Sequence, residues 1–211
     1  MCSSDLYYKS RINDTADILV SSFNKGSFPD MKIAVILSKN GVGIFDDNIY
    51  QKIKYFNGGE EHIAYINPDK YPTLRNDSEN HIATTDAGDT VRISVDENGF
   101  IADFDLLYDY DGESFVANAS LISELINASF KVEMGYVARN SNGRIRVSPV
   151  KAVAKDSTIF NLPMYVLSGY ELVVVESGKE ISRCTASDIN VGDKVVCSTR
   201  GGTGRTIVIY K

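Results

Sequence analysis

The sequence predicts an all-β protein, and three observations carry that prediction. Its apolar residues fall in short alternating or β-branched runs, each bounded by glycine or asparagine. One string occurs twice: Ala87-Gly88-Asp89-Thr90-Val91-Arg92-Ile93-Ser94 is echoed by Val191-Gly192-Asp193-Lys194-Val195-Val196-Cys197-Ser198. Each copy then passes a glycine turn (Asn98-Gly99; Gly201-Gly202-Thr203-Gly204) and enters an apolar run that reaches a tyrosine, Tyr108 or Tyr210. Repetition at a fixed offset marks repeated supersecondary units. The expected architecture is therefore two small consecutive β-barrel-like domains, SH3- or OB-like, of about five to seven strands each, since closure removes exposed sheet edges. Each domain is expected to have its own core.

The elements follow in order. Met1 to Leu6 correspond to the codons GTG-TGC-TCT-TCC-GAT-CT, a string that resembles a common short-read sequencing adapter; residues 1–6 are expected to be such an artefact of a metagenomic assembly. Residues 7–30, including Ile12 to Val20, match neither unit's opening and read as the tail of a truncated upstream segment. The first barrel is expected over 31–115. Ile33 to Leu37 is a β-branched strand turning at Lys39-Asn40-Gly41, and Ile49 to Phe56 alternates with aromatics. Asn57-Gly58-Gly59 then predicts a tight hairpin, because both central positions of a type I′ turn need positive φ. Glu61 to Ile66 returns, Asp69 to Asp86 is a polar loop, and Thr90 to Val95 pairs with Phe100 to Leu107 across Asp96-Glu97-Asn98-Gly99. Residues 116–129, where Leu121, Ile122, Leu125 and Ile126 recur at helical spacing, predict a short helical linker. The second barrel is expected over 130–211, with strands at Phe130 to Ala138, Arg144 to Val147, Met164 to Leu167, Glu171 to Val175, Glu180 to Cys184 and the final hairpin.

Composition narrows the function classes. At 211 residues, with 43% hydrophobic and 24% charged residues, the chain suits two small globular domains. No apolar run approaches the roughly 20 residues that span a bilayer. A net charge of −6 without a basic cluster disfavours a nucleic-acid partner, which would need Lys and Arg to displace counterions. With Cys2 set aside, Cys184 and Cys197 remain; they read as small buried residues, with a disulfide as the alternative.

Candidate chemistry resolves into structural readings. Asp103, Asp105, Asp109, Asp111 and Glu113 invite a calcium loop, but a register with Gly112 at the turn puts Leu107 at the first ligand position, so a solvated acidic face is expected. Arg200-Gly201-Gly202-Thr203-Gly204-Arg205-Thr206 lacks the Gly-Lys-Ser/Thr ending of a phosphate loop and precedes a strand, which predicts a flexible hairpin. His62 and His81 fit no zinc spacing, and no Gly-x-Ser-x-Gly elbow occurs. No catalytic residue, metal site or cofactor is therefore assigned, no ligand-binding residue is fixed, and no enzymatic activity is expected. Tyr50, Tyr55, Tyr65, Tyr108 and Tyr110 could offer sugar-stacking faces, although cross-strand aromatic pairs are the commoner use.

The second half resembles the β-rich segments of large secreted, cell-wall-associated proteins of clostridia-like Gram-positive bacteria, often those bearing S-layer homology domains. The residues that carry the resemblance are Gly135, Val137, Asn142, Gly143 and Ile145, then Asp188, Ile189, Gly192, Asp193 and Val195, then Thr199, Arg200, Gly202, Ile207, Val208, Ile209 and Tyr210. The chain departs from that family in lacking an S-layer homology module. The resemblance implies a non-enzymatic structural or interaction module, located extracellularly or at the cell surface, with cell-wall polysaccharide or other surface proteins as partners. The alternatives are a carbohydrate-binding module of a wall-active enzyme truncated upstream, or a phage virion surface component.

Overall fold

The computed structural model describes residues 6–10, 16–20, 32–45, 47–66, 85–115, 131–151, 161–200 and 205–211. Every regular element among them is a strand or a single 3-10 turn, so the all-β expectation holds. The helical linker expected at 116–129 lies outside the described residues, as do His81, most of the 69–86 loop and the 201–204 turn.

β1 (Leu6–Ser10) and β2 (Ala16–Val20) pair only with each other among the described strands, Leu6 facing Val20. The first large sheet contains β3 (Lys32–Ser38), β4 (Val42–Phe45), β5 (Asn48–Asn57), β6 (Glu60–Ile66), β7 (Thr90–Val95), β8 (Ile101–Asp109) and β9 (Ser114–Phe115). Its order is β4-β5-β3-β7-β8-β9, with β6 on β5. The second contains β10 (Lys131–Ser141), β11 (Arg144–Ser148), β12 (Met164–Val166), β13 (Glu171–Val175), β14 (Ile181–Arg183), β15 (Lys194–Arg200) and β16 (Thr206–Tyr210), in the order β12-β11-β10-β15-β16-β13-β14.

Neither sheet closes into the expected barrel. In the first, Tyr65 and Phe100 form one isolated parallel bridge, with the Tyr65 N–H donating to Gly99 O at 2.9 Å. That bridge brings β6 to the start of β8 without a continuous ladder. In the second, the position next to β16 is filled by β13, running parallel to it from Glu171↔Thr206 to Val175↔Tyr210. The β5–β6 hairpin differs from expectation by one residue: Gly58 and Gly59, with φ of 65° and 75°, form the turn, and Asn57 ends β5 opposite Glu60. Asn57 instead donates from Nδ2 to Ile33 O at 2.7 Å. β4 was not legible in advance; glycine at its second position weakens any strand signal.

The duplication is written in the registers. Val35 faces Thr90 and Phe56, as Tyr136 faces Lys194 and Ser148. Thr90 faces Tyr108, as Lys194 faces Tyr210. β3, β5, β7 and β8 thus correspond to β10, β11, β15 and β16. The cores, however, are not separate. One cluster lies within the first unit around Ile36, Ile53, Ile93 and Phe104, and another within the second around Val137, Val195, Ile207 and Ile209. A third joins them: Ile33, Val35, Leu107 and Tyr108 pack against Val132, Val173, Val175, Val196, Val208 and Tyr210. The expectation of two independent cores fails because β3, β13 and β16 are apolar and buried on both faces, so each sheet has a second apolar side to cover against the other.

Candidate functional site

The duplicated turns meet at the junction of the two sheets. Each begins with a glycine of positive φ, 95° at Gly88 and 97° at Gly192, a conformation a side chain disfavours. Each continues with an aspartate whose carboxylate accepts a backbone N–H three residues earlier: Asp86 N–H to Asp89 Oδ2 and Asn190 N–H to Asp193 Oδ2, both 2.7 Å. The turns are tied to their sheets identically. Gly88 N–H donates to Ile36 O (2.9 Å) as Gly192 N–H donates to Val137 O (2.8 Å), and Ile36 and Val137 return the bond to Asp89 O and Asp193 O.

The tyrosines that end β8 and β16 lie against each other, Tyr108 and Tyr210, with ring centroids 4.1 Å apart. Each accepts the attention of the other unit's corresponding residue: Thr90 Oγ1 hydrogen-bonds Tyr210 Oη, and Lys194 Nζ donates to Tyr108 Oη at 3.0 Å. Corresponding residues exchanging contacts in this way make a local two-fold relation, the arrangement of an isologous interface. Tyr210 Oη also donates to Gly88 O at 3.2 Å. Burial pushes the Tyr210 hydroxyl far above the ordinary phenol range, so it stays protonated.

Around that axis, charged side chains bridge the units. Lys194 Nζ donates to Glu113 Oε2 (2.9 Å) and Glu113 O (3.3 Å), Lys179 Nζ to Asp111 Oδ2 (2.8 Å), and Tyr110 Oη to Glu176 O (3.1 Å). Gly58 and Glu171, with Arg183 donating to Gly58 O at 2.8 Å, join a third point. The bond to Asp111 raises the Lys179 pKa. Burial alone would lower that of Lys194, and its bonds to Tyr108 and Glu113 more than reverse the effect. The acidic stretch stays solvent-exposed at Asp111 and Glu113, as expected of a solvated face, but its members also make bonds: Asp105 pairs with buried Arg92, Asp109 accepts Gly112 N–H at 2.7 Å, and Asp111 and Glu113 cross the junction. For Asp111 and Glu113, partners 68 and 81 residues away made those roles illegible.

A cleft of about 390 Å³ opens beside the second turn, lined by Gly192, Asp193, Lys194 and Lys211, by Tyr108, Tyr110 and Glu113 of the first unit, and by Lys151 and Tyr210. Of the five tyrosines singled out from sequence, Tyr108 and Tyr110 therefore reach one place. Tyr55 is buried and stacks on His62, whose Nε2 bonds Asn57 O at 2.9 Å. Tyr50 and Tyr65 pack edge-on against Phe45, which also meets Phe100, in a cluster of cross-strand aromatic contacts. Cys184 and Cys197 are free thiols; burial pushes the Cys184 thiol up to about 11 and holds that of Cys197 well above the ordinary thiol range. Among the described residues, no group of three or more His, Cys, Asp or Glu side chains is placed to hold a metal ion, and no helix is long and apolar enough to cross a membrane.

No protein-family model matches the chain, and no curated protein matches it. Solved structures that it is similar to include a p204 HINb domain, at 14% identity and a TM-score of 0.26 over 88% of this chain and 95% of that one. Another is the tetrameric p202 HIN2, at 14% identity and a TM-score of 0.24 over 88% and 91%. Likeness at that level carries no argument about fold or function.

Proposed function

We propose that this chain is a non-enzymatic structural or interaction module of a bacterial extracellular or cell-surface protein, with wall polysaccharide or other surface proteins as its partners. The two units, 31–115 and 130–211, are read as duplicated domains of that module. One observation carries the reading: the polar side chains that chemistry would require are occupied in building the scaffold. Asp89, Asp96, Asp109 and Asp193 each accept backbone amides of their own turns, and Lys179 and Lys194 hold one unit against the other. The resemblance of 130–211 to wall-associated segments supplies the location.

Co-sedimentation with purified Gram-positive cell walls tests this reading. Retention of the purified chain in the wall pellet, without release of soluble fragments, is the expected result. Release of new reducing ends or free amines would make the chain an enzyme, and failure to sediment would remove the wall as its partner.

A further inference from the structure

The two turns are the same device in different surroundings, and the difference defines a site. Over Gly88 the space is filled: a β-carbon built there would lie 2.9 Å from Tyr110 Cγ and 3.3 Å from Lys179 Cγ. Tyr110 N–H donates to the second oxygen of Asp89 at 2.8 Å. The first turn, ringed by Asp86, Asp89, Asp109 and Asp111, thus seats a cation contributed by the other unit. Over Gly192, no atom of the described residues beyond its chain neighbours lies within 4 Å of the corresponding position. The balance of charge around it is reversed, with Lys151, Lys194 and Lys211 lining the opening against two carboxylates, Glu113 paired to Lys194 and Asp193 paired to Lys211.

From this inversion we propose that the junction cleft over Gly192 binds an oxyanion, a carboxylate or phosphate group carried on an extended saccharide or polyol polymer. The proposal rests on the reading of the chain as an interaction module and names the chemistry of its partner. The donors can be counted. Lys194 directs its three N–H groups to Tyr108 Oη, Glu113 O and Glu113 Oε2, so it sets the field without binding directly. Lys211 gives two, to Asp188 O and Asp193 Oδ2, and keeps a third. Lys151 is exposed; it acts on Glu113 through the field across the opening and forms no close ion pair among the described residues. Tyr108 Oη, having accepted from Lys194, retains its own hydrogen to donate. With Glu113 and Asp193 each matched by a lysine, Lys151 leaves one positive charge in excess at the opening, and an ammonium is a compact point charge that takes carboxylate and phosphate alike. A volume of about 390 Å³ holds one sugar-sized unit, and the cleft is partly open to solvent.

Isothermal titration of the full chain with polygalacturonate and with poly(glycerol phosphate), at low and high salt, tests the proposal and separates the two oxyanions. Binding of at least one polymer, weakened by salt, is expected. Lys151→Glu should weaken it at least tenfold with an unchanged thermal midpoint, and Lys211→Ala should weaken it less. No heat with either polymer, or Lys151→Glu binding like the parent, overturns the site. The outcomes stay distinct from those of the wall assay. Wall retention that survives Lys151→Glu removes the cleft and keeps the module reading. Polymer binding without wall retention keeps the cleft and removes the wall.

Discussion

Asp89 and Asp193 occupy the same place in two copies of one turn, yet they live in different solvents. Both carboxylates accept an amide three residues back at 2.7 Å. Asp89 is 2% exposed, covered by Tyr110 and the second unit, and desolvation raises its pKa to about 6 despite its two amide bonds. Asp193 is half-buried and meets Lys211 Nζ at 2.8 Å, Lys211 standing where the first unit has Asp109. A turn's geometry is local, whereas the cost of keeping charge in it is set by whatever packs on top.

The largest expected effect separates the two glycines. Gly88→Ala combines backbone strain with overlap on Tyr110 and should destabilise by about 2–5 kcal/mol. Gly192→Ala carries only the strain, about 1–2 kcal/mol. Urea unfolding of both variants decides the point, and equal losses would break the comparison.

Next in size is a pH effect confined to the first turn. The folded protein holds the Asp89 proton up to about pH 6, while the unfolded chain releases it near the ordinary value of 3.8. Between those values the native state binds more protons, so this group's contribution to stability is greatest below about pH 4 and is lost as pH rises through 6. Its full extent is about 3 kcal/mol. Subtracting the Asp89→Asn profile from the parent's should reveal that decline; parallel profiles from pH 4 to 7 would mean the junction admits water to Asp89.

The reciprocal tyrosines should respond unequally. Tyr210→Phe strips the buried Thr90 hydroxyl and Gly88 O of a partner and should cost about 1–3 kcal/mol. Tyr108→Phe leaves Lys194 its bonds to Glu113 and should cost about 1 kcal/mol or less. Because both tyrosines belong to the shared cluster, Tyr210→Phe should lower one common melting transition; two separated transitions in calorimetry would show that the units unfold independently.

The smallest effect belongs to the open turn. Asp193→Asn loosens a partly buried ion pair whose lysine keeps its bond to Asp188 O, and should change stability by about 1 kcal/mol. A larger loss would place Asp193 in the same class as Asp89 and erase the distinction between the turns.

Most strands and the final hairpins of both units were readable, because alternation and turn residues act over a few neighbours. The junction was not readable: Lys194 reaches Tyr108 and Glu113, and Lys179 reaches Asp111, across separations that no local pattern encodes. The expected barrels failed at a similar point. Strand number and turn type do not state which edge pairs with which, and β13 took the place beside β16 that barrel closure would have needed.

By itself the sequence determined the all-β class, the duplication and the two Gly-Asp turns, since each depends on period and backbone preference within a few residues. Only the tertiary structure decided that the units share a core, that Asp89 is buried while Asp193 faces a lysine-lined cleft, and that the acidic stretch joins one unit to the other. Burial and charge pairing are sums over neighbours brought from distant parts of the chain, and two identical turns can therefore acquire opposite electrostatic surroundings.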